Sequence, residues 1–287
     1  MHISLDSALG RQRRLNQVGQ TISSIAPLAA AYSLRSLTGG DPRVVRVRRD
    51  TGGAAGDNDE EDFTVSEIDS GALVAFVGSG NDGFVDTWYD QSGNDRHATN
   101  DTDAEQPQIV SSGSLIADGI DFDGSNDTLT AASVSGFGST VSMFSASIRD
   151  SGGAAVLSMG SSASTANTNF GIIEGSSVSN VNARNTASVT ASASVSGVTR
   201  LTFGVTTGQT STKSGALGGT LVENTSDYGS DFTSDELDTI FLGKLRSGSG
   251  STFNGHIKEA LIYTTDQSSN RDAIEANIAD YYNITLV

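Results

Sequence analysis

Trp88-Tyr89-Asp90-Gln91-Ser92-Gly93-Asn94 sets two aromatic rings directly before a carboxylate, a carboxamide, a hydroxyl and a second carboxamide. Sugar sites are assembled from these types: an aromatic surface for the apolar face of a ring, and planar polar groups for its hydroxyls. Tyr89, Asp90, Gln91 and Asn94 are therefore carbohydrate-binding candidates. Strand alternation puts Phe84, Asp86 and Trp88 on one face and Val85, Thr87 and Tyr89 on the other. The two aromatics are thus split, and the single Trp of the chain is expected in the core. Asp90 to Asn94 then reads as a turn, with Gly93 free to take a positive φ.

A second set of candidates is electrostatic. The chain carries 34 acidic and 17 basic residues, a net charge of -17. Such a surface disfavours nucleic acid and anionic lipid. Arg43 to Arg49 alternates as a strand, with Val45 and Val47 on one face and Arg46 and Arg48 on the other. The run Asp57-Asn58-Asp59-Glu60-Glu61-Asp62 follows it. Charge compensation between the two is the expected relation. Asp57, Asp59 and Glu60 are weak calcium candidates, because the run lacks the glycine-containing ligand rhythm of a dedicated calcium loop. No other cofactor is implied.

Catalytic signals are sparse. A retaining glycosidase needs two carboxylates about 5 Å apart, and Glu174, Glu223, Asp235 and Glu236 are available acids with no motif to single them out. His2, His97 and His256 are too far apart in sequence to make a local metal pair, and His97 is expected to pack beside the turn. Ser92 does not sit in a Gly-x-Ser-x-Gly elbow. Gly78 to Gly83 spells Gly-x-Gly-x-x-Gly without a surrounding βαβ unit, so it reads as a loop. With no cysteine, disulfides and thiolate chemistry are excluded.

The 33 glycines, 3 prolines and frequent polar turns suit many short strands. Strands are expected at 30–35, 43–49, 84–89, 116–122, 127–130, 141–148, 155–159, 170–173, 201–205, 239–242 and 258–263. Asp123-Gly124-Ser125-Asn126 is expected to close a hairpin between two of them. The Ser-, Ala- and Val-rich stretch 176–198 alternates as surface strands would, and 67–78 suits a short helix. One longer helix is expected near the C-terminus, opened by a capping box at Ser269 to Asp272. Its apolar stripe would be Ile274, Ile278 and Tyr281, and Asn283 would end it. No hydrophobic run is long enough to span a bilayer, and the first residues lack the pattern of a signal peptide. Residues 1–26 form a separate arm with a basic cluster, Arg11, Arg13 and Arg14, and 27–287 form the body. The strand density implies an all-β sandwich or jelly roll.

Several stretches occur in a familiar order: Ala30 to Arg35, Val45 to Arg49, Thr87 to Asn94, Gln106 to Val110, Phe122 to Asp127, and Glu275 to Ile278 with Tyr281-Tyr282. Together they resemble the concanavalin A-like, laminin-G-like jelly rolls of bacteriophage virion proteins. They are also similar to the catalytic jelly roll of α-L-arabinofuranosidase B. The resemblance spans roughly residues 28–284 and carries the fold, but no activity. The arabinofuranosidases bear cysteines near their active site, which this chain lacks. What it implies is a non-enzymatic structural protein on the virion exterior, assembled in the host cytoplasm: a capsid decoration, head fibre or tail-fibre component. Its expected partners are other virion proteins, through residues 1–26, and a host surface glycan. A homo-oligomer within the assembly is expected. The alternatives are a glycoside hydrolase and a sugar-blind particle stabiliser.

Overall fold

The structure, a computed structural model, describes residues 21–53, 56–162, 168–195, 198–246 and 252–285. These form nineteen strands: β1 (Ala30–Ser33), β2 (Arg43–Asp50), β3 (Glu60–Thr64), β4 (Asp82–Trp88), β5 (Ala98–Thr99), β6 (Gln108–Ser111), β7 (Ser114–Leu115), β8 (Ile120–Asp123), β9 (Leu129–Ala131), β10 (Thr140–Ser151), β11 (Ala154–Gly160), β12 (Asn169–Glu174), β13 (Val178–Arg184), β14 (Ser188–Ser194), β15 (Thr199–Thr207), β16 (Thr212–Ala216), β17 (Val222–Asn224), β18 (Thr239–Leu242) and β19 (Asn254–Tyr263). Helices are α1 (Ile22–Ile25), α2 (Val65–Asp69), α3 (Ala72–Val77) and α4 (Arg271–Tyr282).

The pairings are antiparallel throughout. One sheet runs β3-β2-β4-β5-β9-β18-β11-β12-β13-β14. The other is built on β19. Its C-terminal half pairs with β1 and its N-terminal half with β8. Along its opposite edge lies β10, followed by β15, β16 and β17. Strand β6 joins the sheets by pairing with both β4 and β8. The result is a β-sandwich nearly closed along one side.

Two apolar layers result. Between the sheets lie Tyr32, Val45, Val47, Trp88, Met143, Ile172, Ile240 and Ile262. On the far side of the β19 sheet, Ala31, Phe144, Phe203, Leu261 and Tyr263 pack with Ile22, Ile274 and Ile278. This sheet is covered on both faces, so Val141 to Ile148 is buried at every position rather than at alternate ones. Strand β14, covered on one face only, keeps the strict alternation expected of it.

Four expectations change. Strands β8 and β9 do not form a hairpin: β8 pairs with β19 and β6, β9 with β18 and β5. The Asp123 turn, with Oδ1 accepting from Ser125 N and Asn126 N, passes the chain from one sheet to the other. The C-terminal helix has no capping box; it starts after Asn270, whose amide donates to Gln267 Oε1 instead. Positions 274, 278 and 282 share its inner face, so Tyr282 reaches the sheet and Tyr281 is left exposed against the Arg35 guanidinium. The body starts earlier than Pro27, since Ile22 and Ala26 are already core. Arg11, Arg13 and Arg14 lie outside the described residues. Asn283 does end α4, in the left-handed conformation.

Candidate functional site

The aromatic heptapeptide builds a strand staple. Opposite Arg46 and Val47, strand β4 offers Thr87 and Val85, so Asp86 is an extra, bulged residue. The bulge turns both Val85 and Trp88 inward, and Trp88 is fully buried. Tyr89 points outward, its hydroxyl donating to Asp62 and its ring edge-on to His97. The Asp90 carboxylate accepts from Ala31 N, Ser92 N, Ser92 Oγ and Arg96 N. Gln91 donates to Ser33 O and Arg35 O and accepts from Leu37 N. Asn94 donates to Leu28 O and Ala29 O. This corrects the expected sugar platform: Asp90 and Gln91 are buried and Asn94 is spent on backbone, so three of the four polar candidates hold β1 in place. His97 accepts from Asp90 N, as part of the same staple.

The acidic run compensates the arginine strand. Glu60 to Asp62 belong to β3, paired with β2. Arg43 meets Asp62 at 2.8 Å, Arg46 meets Glu60 at 2.9 Å, and Arg49 pairs with Asp59. Asp57 accepts from Thr51 N and Oγ1. The three calcium candidates therefore have three separate partners, Asp57 and Asp59 in the turn before β3 and Glu60 at its first position. Three of the four acids noted in the sequence have partners of their own. Glu174 is buried, bonded to Arg200, Ser179 and Thr202. Glu223 faces Lys213, and Glu236 caps Thr233.

A different row of side chains emerges from the register. Arg48 lies opposite Phe84, Phe84 opposite Gln108, Gln108 opposite Asp121, and Asp121 opposite His256. Directly opposed residues share a face, so five adjacent strands, β2, β4, β6, β8 and β19, present one continuous polar-aromatic line. Asp57, Asn58, Asp103, Ala104, Gln106 and Asp127, with Asp123 at the end of β8, wall it into a cleft of about 460 Å³. Arg48 is buried and immobilised: Nε donates to Gln106 Oε1 at 2.7 Å, Nη1 to Asn58 Oδ1 and Nη2 to Asp103 O. Its guanidinium carbon stands 5.0 Å from the centre of the partly exposed Phe84 ring.

Six aspartates line this cleft, at 50, 57, 103, 121, 123 and 127, against the one arginine. Burial pushes the Asp127 carboxyl up to about 7; the backbone hydrogen bond from Asp123 N opposes this, and the charges of Asp123, Asp121 and Glu105 reinforce it. Asp121 is also raised, by burial first, with His256 pulling the other way. The cleft thus combines an apolar ring, fixed donors and acceptors, and a carboxyl able to hold its proton near neutrality. Arg48 was visible in sequence as an outward strand residue. Phe84, Gln108 and Asp121 were not singled out, because only long-range register puts them in one line.

No protein-family model matches the chain, and no curated protein matches its sequence. Among solved structures, the fold is similar to that of an arabinofuranosidase complexed with arabinofuranosyl-α-1,2-xylobiose, at TM-score 0.63 and 16% identity over 90% of this chain and 64% of that one. It is also similar to a glutamate-to-glutamine variant of a family 54 α-L-arabinofuranosidase soaked with 4-nitrophenyl α-L-arabinofuranoside, at TM-score 0.61 and 15% identity over 90% of this chain and 65% of that one. A third, the family 54 enzyme soaked with a cyclic sulfate inhibitor, aligns at TM-score 0.58 and 13% identity. The chain spans just under two thirds of the length of the first two. At these identities the likeness is one of fold. It places the chain in a β-sandwich fold like that of the arabinofuranosidases, one part of the resemblance drawn from sequence.

Proposed function

We propose that this protein is a glycan-binding β-sandwich whose site is the cleft crossed by the Arg48-Phe84-Gln108-Asp121 row. The observation that carries the reading is that row itself: an aromatic ring flanked in register by planar polar side chains, in a walled cleft of sugar-sized volume. With six carboxylates to one arginine, the cleft suits neutral sugars, whose hydroxyls donate to carboxylates, and repels sulfated or carboxylated ones. The fold shared with enzymes that carry arabinofuranosyl ligands makes arabino- and xylo-oligosaccharides the first to test. Titration calorimetry of the purified protein should give binding that Phe84→Ala and Gln108→Ala each weaken at least tenfold, with the melting temperature little changed. Absence of binding to any neutral oligosaccharide, or binding indifferent to both substitutions, would overturn this site and favour a sugar-blind stabiliser.

The setting we propose is the exterior of a virion, with the body displayed and the part of the arm before Ile22 attached to a neighbouring subunit. Supporting it are the resemblance of the ordered motifs and the cluster Arg11, Arg13 and Arg14 in a chain of net charge -17. Repetition on a particle would turn weak single sites into avid attachment.

One observation favours a second reading, glycoside hydrolysis. Asp127, protonated near neutrality beside two other aspartates, has the character of a general acid. Release of reducing sugar by the purified protein, lost in Asp127→Asn, would decide for it.

A further inference from the structure

At one end of the row, three adjacent strands bring together three potential metal ligands that the glycan reading does not use as a set. Asp121 lies on β8 and His256 directly opposite it on β19. Asp150 lies on β10, beside the irregularity where Arg149 and Ser151 pair with Gly255 and Asn254. One donor atom from each residue lies within 4.8 Å of the others. His256 Nδ1 stands 3.6 Å from Asp121 Oδ1, and Nε2 stands 3.8 Å from Asp150 Oδ2.

These separations are informative. A charge-assisted hydrogen bond between imidazolium and carboxylate closes to about 2.7–2.9 Å, and neither gap is that short. Accordingly, His256 Nδ1 is a buried nitrogen without a hydrogen-bond partner. Donors each about 2.0–2.2 Å from one cation sit roughly 3–3.5 Å apart. The Asp121–His256 pair already has that spacing, and Asp150, half exposed at the end of β10, can close the rest by side-chain rotation. One imidazole and two carboxylates whose donor atoms gather within 4.8 Å are the donor set of a borderline divalent ion such as zinc, nickel or cobalt. Calcium and magnesium prefer oxygen alone.

We propose that Asp121, Asp150 and His256 form a transition-metal site that clamps β8, β19 and β10 together. Solvent would complete the coordination from the open side. It shares Asp121 with the sugar cleft but does not depend on that reading.

Untagged full-length protein, titrated at pH 7.5 with zinc, nickel, cobalt, calcium or magnesium chloride, tests it. The expected result is one equivalent of zinc or nickel bound with micromolar affinity, a rise in melting temperature, and intensified visible absorption on adding cobalt. Asp150→Asn and His256→Gln, each confirmed folded by its metal-free melting curve, should weaken binding at least tenfold. Asp59→Asn, on the acidic edge away from the cluster, should leave it unchanged. Failure to bind zinc, nickel or cobalt at millimolar concentration would overturn the site. So would calcium binding equal to zinc, or zinc binding that survives both ligand substitutions.

Discussion

At Asp127 the cost of burying a carboxylate becomes a pH dependence. Its folded pKa of about 7 lies above the usual aspartate value of about 3.9. Between those values the native state keeps a proton that the unfolded chain gives up. Its contribution is therefore fully present below pH 4, and stability falls as pH rises through 7. The upper bound is about 4 kcal/mol, at about 1.4 kcal/mol per pH unit. Asp127→Asn retains the acceptor for Asp123 N and removes the titration. Urea midpoints measured between pH 5 and 8.5 should fall less steeply in the variant than in the parent; equal slopes would show that Asp127 does not titrate in this range. Sequence could not mark this residue out, because its environment is made by Asp121, Asp123 and Glu105 closing round it. Trp88 is the opposite case. A single Trp on a strand is core by elementary statistics, and it is fully buried here. Its partners on that face were not predictable, since the bulge at Asp86 breaks the period of two on which the reading relied.

At the scale of elements, the turn 90–94 has the largest local effect. Asp90→Ala would strand several donors, including the buried Ala31 N–H, at about 1–3 kcal/mol for each group left unsatisfied. We expect denaturant unfolding to show a loss of about 3 kcal/mol or more, with glycan affinity of the surviving folded fraction unchanged. A loss of affinity without a loss of stability would instead return the sugar site to this turn. Local chemistry made the turn legible: Gly93 takes its positive φ and the Asx and amide groups bond nearby backbone, as the residue types required. Most strands were legible for the same reason, with Thr239–Leu242 and the alternating β14 as clear cases. Pairing partners were less so. The Asp123 turn has every residue of a hairpin loop, but the choice of neighbour was decided by β19 and β18, more than a hundred residues later.

For the molecule as a whole, the outer apolar layer sets how the proposed arm can be tested. Ile22 and Ala26 belong to the core, so deleting residues 1–26 would destabilise the body as well as remove the arm. Ile22→Ala alone should cost about 2–5 kcal/mol, by analogy with other buried aliphatic truncations, and thermal melts would show it. Replacing Arg11, Arg13 and Arg14 with Ala should reduce incorporation into particles while leaving the melting temperature unchanged. Undiminished incorporation would remove the proposed anchor. The jelly-roll class was legible from strand density and turn spacing. The covering of the second sheet was only half so: Ile274 and Ile278 announced an apolar stripe, but the contribution of Ile22 was hidden in an irregular stretch with no period.

Strand β19 adds a consequence for the order of events during synthesis. It is the hub for β1, β8 and β10, and it is the last of the described strands to be made. Ser33 waits 226 residues for its partner Glu259. At ~5–20 residues per second, that is on the order of 10–45 s in which β1 has no edge to join. A ribosome-bound chain ending before residue 254 should be as protease-sensitive at β1 as an unfolded one. Protection should appear along β1 once β19 has cleared the exit tunnel, whereas β10 already has β15 beside it. The closing of the sandwich thus waits on β19, and any chaperone that attends it has until that strand is made in which to bind.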